Sequence, residues 1–452
     1  MIIKENLKKN PRYLAVYLLT LIETKNLMLD TLVADHEKTI SQMDPKDKSL
    51  FYNILYGVLR KRGNLDKIIQ RNSDKNFNKI DIPVLNALRT GIYQMVYLEK
   101  IPVSAAVNTS VEIVKSGGFK SASGFVNGIL RNFSRDFDSK KFFKYEKNSA
   151  DFPKWMTKRW EKRFGKKNTE DLCSFYNETP PITLRVNTIK TTKKDLYELL
   201  LPAAEKVWKD ISGKNSISLV KPKFTIDKLP GFKKGFFQVQ DLGAQYVTAL
   251  LDPKPNEIIM DACAGYGGKT GYLAQLTKGK AKITAADLNK AKLELLKEEM
   301  LRLGFSNSVK TAVVDLTQSS QKIKSEYFDK ILVDSPCSGL GVLRRNPDTK
   351  WNRTLKDIKE CAKTQKLILK NTAPLLKKGG LLLYCVCSFE PEETTEVINQ
   401  FLEQNKNFKR AELDHNEIKY IDNNGDVTIL PYISKTDGFF AAFLVKDKKH
   451  RL

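Results

Sequence analysis

The chain has 452 residues, of which 41% are hydrophobic and 29% charged. Those proportions exclude a disordered or fibrous chain, and the length accommodates two or three domains, each with its own core. Lys and Arg number 77 against 52 Asp and Glu, and the resulting net charge of +25 points to a polyanionic partner, nucleic acid first.

No apolar run approaches the roughly 20 residues of a membrane-spanning helix. The opening "MIIKENLKKNPRY" has no apolar core of a secretory signal. The expectation is therefore a cytosolic chain with reduced thiols and no membrane partner. Six cysteines without a CxxC pair, and three histidines, give neither a disulfide framework nor a metal site.

Residues 1–138 read as helical. Apolar residues recur at helical spacing in "RYLAVYLLTLIE", "KSLFYNILYGVLRKR", "IPVLNALRTGIYQMVYL" and "SAAVNTSVEIVKS". Asp44 before Pro45 marks a helix start, and Gly117-Gly118 a helix end. Residues 136–170 then mix dense Lys/Arg with aromatics, which reads either as a solvated linker or as a basic RNA contact with rings for stacking. This stretch opens a middle segment, 139–235, with short β-like runs towards its end such as "PITLRVNTI". In 236–452, after a further β-like run, "GFFQVQD", apolar strands "EIIMD", "KITAAD", "TAVVD", "DKILVD" and "GLLLYCVCS" alternate with helical segments, the pattern of a mostly parallel, doubly wound sheet. "GFFAAFLVK" reads as a last strand.

Ligands of such a sheet bind beyond the carboxyl ends of its strands. Asp261, Asp287, Asp315 and Asp334 stand there. After Asp261, "ACAGYGGKTGYLAQL" runs from a glycine-rich turn into a helix, whose first N–H groups are free to meet a ligand. It is neither a P-loop nor a full GxGxxG. Asp287, about 20 residues further on, sits where a carboxylate accepts from ribose hydroxyls, so a nucleoside cofactor is expected; NAD and S-adenosylmethionine both fit to this point.

The fourth strand leads into "DSPCSGLGVLRRNPDTKW", and the fifth into "VCSFEPEE". These two cysteine motifs, in this order, resemble RNA cytosine-5 methyltransferases, which carry D-x-P-C-S-G with R-R/R-x-P-D-x-x-W and a second T-C-S-x-x-x-E-E. "NALRTGIYQMVYLEKIPVSAAVNTSVEI" and "GFVNGILRNF" resemble the NusB-like domain of the bacterial small-subunit (16S) rRNA, Sun-like branch, and "PITLRVNT" and "FQVQDLGAQ" its segments ahead of the catalytic domain. Where that family has Ala-Pro before the glycine pair this chain has Gly265-Tyr266, and where it has Thr-Cys-Ser this chain has Val386-Cys387-Ser388.

The resemblance implies a NusB-like helical domain, a small α/β linker domain and a Rossmann-like catalytic domain that uses S-adenosylmethionine. The implied substrate is RNA, 16S rRNA first, handled by a monomer. Cys387 is the implied nucleophile towards carbon 6 of cytosine, Cys337 assists release, and Asp334 bonds the N3 edge. Cys263, Ala264, Gly265, Tyr266, Gly267, Gly268 and Lys269 would hold the cofactor with Asp287 at the ribose, Asp315 near the adenine, and Asp334. A thiolate is needed because carbon 5 of cytosine is too electron-poor to attack a methyl sulfonium until addition at carbon 6 makes the ring enamine-like. Cys173, Cys263, Cys361 and Cys385 read as packing residues. The acids of "EPEETTEVI" read as the start of a helix. Rival readings are a DNA cytosine-5 methyltransferase, which would not need Cys387, a non-catalytic RNA-binding or antitermination protein, and a methyltransferase of tRNA or large-subunit rRNA.

Overall fold

The computed structural model describes residues 9–137, 146–209, 215–318, 323–414 and 418–448. It divides into two compact units, Met1–Thr179 with Leu343–Arg353, and Pro180–Val342 with Thr354–Leu452. Among the described residues no helix is long and apolar enough to cross a membrane.

The first unit is helical. Pro11–Lys25, Pro45–Arg71, Ile82–Tyr97, Val103–Ser116 and Ser123–Asp136 enclose a core of Leu, Ile and Val. The Asp44 carboxylate accepts from the backbone N–H of Lys46 at 2.8 Å and of Asp47 at 3.1 Å, the cap that the Asp-Pro pair announced. Gly117 closes Val103–Ser116. Arg89 is buried inside the bundle and donates to Asp66 and Glu23, each at 2.6 Å, so its charge is matched where it is desolvated.

Part of the basic aromatic stretch is packed inside the helical unit. Residues 138–145 lie outside the described residues. Beyond them Phe152, Trp160 and Tyr176 pack ring on ring at 5.8–6.3 Å, and Trp160 is fully buried. Phe152 and Trp160 of that stretch, with Tyr176 beyond it, fill a core. A second finding is that the downstream half of the Pro-Cys motif belongs to this helical unit. Asp348 accepts from Leu29 N at 3.0 Å, Lys350 donates to Arg60 O at 2.9 Å, and the Trp351 indole donates to Leu59 O at 2.8 Å.

In the second unit, strands β1 (Ile182–Val186), β2 (Ala204–Lys209), β3 (Ser216–Pro222) and β4 (Phe237–Val239) form a small antiparallel sheet in the order β2-β3-β1-β4. Helix Lys193–Leu200 covers it with Leu196 and Leu200. The large sheet holds β5 (Ile258–Ala262), β6 (Lys282–Asp287), β7 (Val309–Val313), β8 (Phe328–Asp334), β9 (Leu376–Val386), β10 (Phe408–Arg410), β11 (Val427–Ile429) and β12 (Phe439–Lys446). Its order is β10-β12-β9-β8-β5-β6-β7, with β11 on β12. From β9 to β7 the strands are parallel, whereas β12 runs antiparallel to both β9 and β10. Both faces are covered, which is why the central strands read as continuous apolar runs. The chain leaves β5 for β6 on one side and joins β8 on the other, so a crevice opens beyond the carboxyl ends of β5 and β8.

Candidate active site

Two loops meet beyond that crevice. β8 ends at Asp334, β9 runs parallel to it, and Asp334 pairs in register with Cys385. The strand stops at Val386, so the chain turns and Cys387 stands outside the ladder. Cys337 follows β8 by three residues. Its sulfur lies 2.9 Å from that of Cys387, and Gly341 N donates to Cys387 O at 2.9 Å, pinning one loop to the other. The hydrogen bond with Cys387, then burial, push the Cys337 thiol well above the ordinary thiol range. Cys337 therefore keeps its proton at neutral pH.

Glu393 holds this geometry, and sequence reasoning missed it by assigning the acids of "EPEETTEVI" to a helix start. The helix begins only at Thr395, and Glu393 is fully buried. Its carboxylate accepts from Ser338 N at 2.7 Å, Ser338 Oγ at 2.5 Å, Ser388 Oγ at 2.6 Å and Gln365 Nε2 at 3.1 Å. Ser338 and Ser388 are the residues that follow Cys337 and Cys387, so one carboxylate staples both cysteine loops. Burial raises the Glu393 pKa, against the pull of these donors.

Lys269 leaves the glycine loop for the same place. Its ammonium is 2.6 Å from Asp334 Oδ2 and 5.2 Å from the Phe439 ring centroid. Burial is the largest single influence and works against its charge, but Asp334 together with Cys385 and Cys387 more than offsets it and holds the ammonium above its ordinary pKa. Cys385, fully buried, points its sulfur at Asp334 Oδ1 at 3.5 Å, so it packs against the Asp334 carboxylate as well as filling the core.

The other expected cofactor residues gather at β5 and β6. Cys263 adopts φ 64°, a left-handed conformation that costs a non-glycine residue about 1–3 kcal/mol, and burial drives its thiol pKa up. Ala264 N donates to Ala286 O at 2.9 Å, and Gly265 N to Asp287 Oδ2 at 2.9 Å. Asp287 Oδ1 accepts from Asn289 N at 2.8 Å. Each carboxylate oxygen thus keeps a lone pair for a ribose hydroxyl. Tyr266 is 61% exposed, with Lys292 over its ring at 5.5 Å. Gly267 has φ 83°, and a Cβ there would lie 2.7 Å from Leu296 Cγ, so glycine is required twice over. Helix Gly268–Leu276 starts at the next residue. Leu288, beside Asp287, is 68% exposed, an apolar surface that sequence reasoning passed over. Open space at Gly265, acceptors at Asp287 and bare Leu288 together fit an adenosyl group.

Asp261 and Asp315 each hold side-chain partners of their own. Asp261 is fully buried beneath the loop, accepts from Thr270 Oγ1 at 2.6 Å, and leaves Oδ1 without a partner; burial pushes its pKa up to about 7. Asp315 lies two residues beyond β7, where its carboxylate accepts from Thr317 N, Thr317 Oγ1 and Gln318 Nε2, bonds that lower its pKa.

Comparison with known proteins matches three segments of the chain. Residues 248–445 match the family model of the 16S rRNA methyltransferase RsmB/F, residues 9–135 the NusB family, and residues 152–224 the ferredoxin-like domain of RsmF/B-like methyltransferases. A probable ribosomal RNA small subunit methyltransferase B of Synechocystis is 34% identical over 443 residues, 96% of this chain and 99% of the relative. The chain belongs to the RsmB/F methyltransferase family. The corresponding Bacillus subtilis protein is 34% identical over 430 residues, 93% of this chain and 94% of the relative. Among solved structures, PH0851 superposes with a TM-score of 0.79 at 25% identity, over 98% of this chain and 100% of that one. NSun6 from Pyrococcus horikoshii, solved with SFG, shares the fold over 66% of this chain and 99% of its own, with a TM-score of 0.58 at 23% identity. The cofactor of the family is S-adenosylmethionine, and the helical NusB domain, the ferredoxin-like domain and the Rossmann-like sheet are those expected from the sequence.

Proposed function

We propose that the chain methylates carbon 5 of a cytosine in 16S rRNA through a covalent bond between Cys387 and carbon 6 of the base, in the cytosol. The observation that carries this reading is the 2.9 Å contact between the sulfurs of Cys337 and Cys387 at the strand end that bears Asp334 and Lys269. A DNA methyltransferase working through its Pro-Cys cysteine alone would have no use for the second thiol, and a purely binding protein would need neither. The net charge of +25 suits an RNA partner.

In this mechanism the Cys387 thiolate adds to carbon 6 while a proton shared with Asp334 at N3 neutralises the electron pair pushed onto that edge. Lys269 fixes the orientation of the Asp334 carboxylate. S-adenosylmethionine, held by the glycine loop and Asp287, supplies the methyl group to the activated carbon 5. The proton on carbon 5 then passes to solvent and the carbon 5–carbon 6 double bond re-forms. The carbon 6–sulfur bond breaks with its electron pair returning to Cys387, and the N3 proton goes back to Asp334. Cys337, protonated and touching that sulfur, hydrogen-bonds the departing thiolate. The target base must leave its stack to reach the pair.

The test is a denaturing gel with labelled rRNA, alongside mass spectrometry for 5-methylcytidine. Cys387→Ala is expected to form neither product nor adduct. Cys337→Ala is expected to accumulate RNA covalently bound through Cys387, a band that the double variant lacks. An adduct that persists in Cys387→Ala and vanishes in Cys337→Ala would reverse the two roles.

A further inference from the structure

The motifs "PITLRVNT" and "FQVQDLGAQ" lie outside the catalytic loops, yet their polar side chains converge on the cofactor helix. Arg185, from β1, is 1% exposed. Its Nη1 donates to Gly268 O at 2.9 Å and also to Gln240 Oε1. Nη2 donates to Gln238 Oε1 at 2.5 Å, and Nε to Gln275 Oε1 at 3.2 Å. The guanidinium carbon sits 4.7 Å from the Tyr272 ring centroid. Gln238, on β4, donates in turn to Gly267 O at 3.2 Å. A Cβ at Gly271 would come within 2.6 Å of Gln238 Oε1, so the helix itself is shaped around this contact.

Every acceptor of Arg185 is neutral. A guanidinium stripped of water and given no carboxylate is costly to bury, and burial pulls its pKa down to about 9. A methionine would fill the space without that cost. It would neither grip the Gly268 carbonyl nor orient Gln238, which holds the carbonyl of Gly267. Because each peptide unit is planar, with C=O and N–H opposed, fixing the carbonyls of Gly267 and Gly268 also fixes the N–H groups of Gly268 and Lys269, which point the other way, out of the helix N-terminus.

We propose that Arg185, together with Gln238, is a positioning residue for S-adenosylmethionine, setting the first turn of the cofactor helix before the cofactor arrives. This rests on the reading that residues 263–269 and Asp287 hold the cofactor. The small antiparallel sheet then has a second task, since two of its strands carry the side chains that set the glycine loop.

The experiment measures S-adenosylhomocysteine binding by calorimetry on the full chain, for wild type, Arg185→Met, Gln238→Met and Asp287→Ala. It adds hydrogen exchange of the amides of 265–270 in the cofactor-free proteins, and kinetics with rRNA. For Arg185→Met and Gln238→Met the expected result is Kd raised about tenfold, the same rise in KM for S-adenosylmethionine, and faster amide exchange in the loop. KM for RNA and kcat at saturating cofactor stay within about twofold, a split that a general loss of folded protein would not give. Should Arg185→Met not fold, Gln238→Met carries the test alone. Wild-type affinity and loop exchange in both variants, with Asp287→Ala weakened, would overturn the role of Arg185. Wild-type affinity in Asp287→Ala as well would overturn the placing of the cofactor instead.

Discussion

Replacing Glu393 tests whether one carboxylate sets the spacing of Cys337 and Cys387. It is fully buried and accepts four hydrogen bonds, three of them from the serines that follow Cys337 and Cys387. In Glu393→Ala the Ser338 N–H loses its partner in a buried site, at a cost of about 1–3 kcal/mol. The two hydroxyls, 3.5 Å apart, can turn to each other, and Gln365 Nε2 keeps Pro336 O at 3.0 Å, so these losses are smaller. Removing the side chain also leaves a small cavity. The expected destabilisation is about 3–5 kcal/mol, a large part of the 5–15 kcal/mol that ordinarily separates folded from unfolded chains. Glu393→Gln keeps the volume and one acceptor, and is expected to cost about 1–2 kcal/mol. Urea unfolding measures both, and methyl transfer at saturating substrates should fall in Glu393→Gln even where the protein is fully folded, because the cysteine loops lose their common anchor. Glu393→Ala that unfolds at the wild-type urea midpoint with wild-type turnover would refute the staple.

Asp287→Ala should weaken S-adenosylmethionine binding at least tenfold by calorimetry, since charge-assisted hydrogen bonds of this kind contribute about 1.5–3 kcal/mol each; unchanged affinity would rule out the ribose contact. Asp261, with its pKa raised from 3.8 to about 7, binds a proton in the folded state that the unfolded chain has lost across that window. Stability should therefore fall as pH rises from about 4 to 7, by up to about 4 kcal/mol from this group alone. Asp261→Asn should flatten that slope in urea titrations at pH 4, 5.5 and 7, whereas parallel slopes would mean that Asp261 is ionised throughout. RNA affinity should drop by orders of magnitude between 50 and 200 mM salt if several phosphates are neutralised, as filter binding would show; a flat profile would make the +25 charge incidental.

The elements that could be read from the sequence are those in which local pattern and tertiary fate agree. β5, β6, β8 and β9 are apolar because helices cover both faces, and the Asp44-Pro45 cap is written in two adjacent residues. The places of Asp334, Cys337, Cys387 and Asp287 could be read for a related reason, since Asp334 and Asp287 end their strands, Cys337 and Cys387 follow strand ends by one to three residues, and the sheet delivers these ends to one side. What stayed hidden is polar and long-range. β2 carries mostly exposed side chains, so its alternation has no apolar face strong enough to read, and it exists because β3 offers it a ladder. Trp351 and Lys350 look like the tail of a catalytic motif, yet their partners, Leu59 O and Arg60 O, are 292 and 290 residues away.

Glu393, Arg185 and Gln238 share a deeper reason for escaping notice. Composition and periodicity sort charged and amide side chains to the surface, because burial without partners is costly. Each of the three is buried with its partners made, and apart from Ser388, five residues from Glu393, those partners come from distant segments. The partners are also of one kind. Glu393 holds the residues after the two cysteines, Gln238 and Arg185 hold the glycines at the start of the cofactor helix, and Lys269 holds Asp334. Arg89 in the helical bundle matches its charge inside a core, whereas Glu393, Arg185 and Gln238 hold segments beside the proposed site. In a chain of this architecture, a buried charge whose partners flank a catalytic motif is therefore the feature to look for first, and it becomes visible only once the fold has brought the partners together.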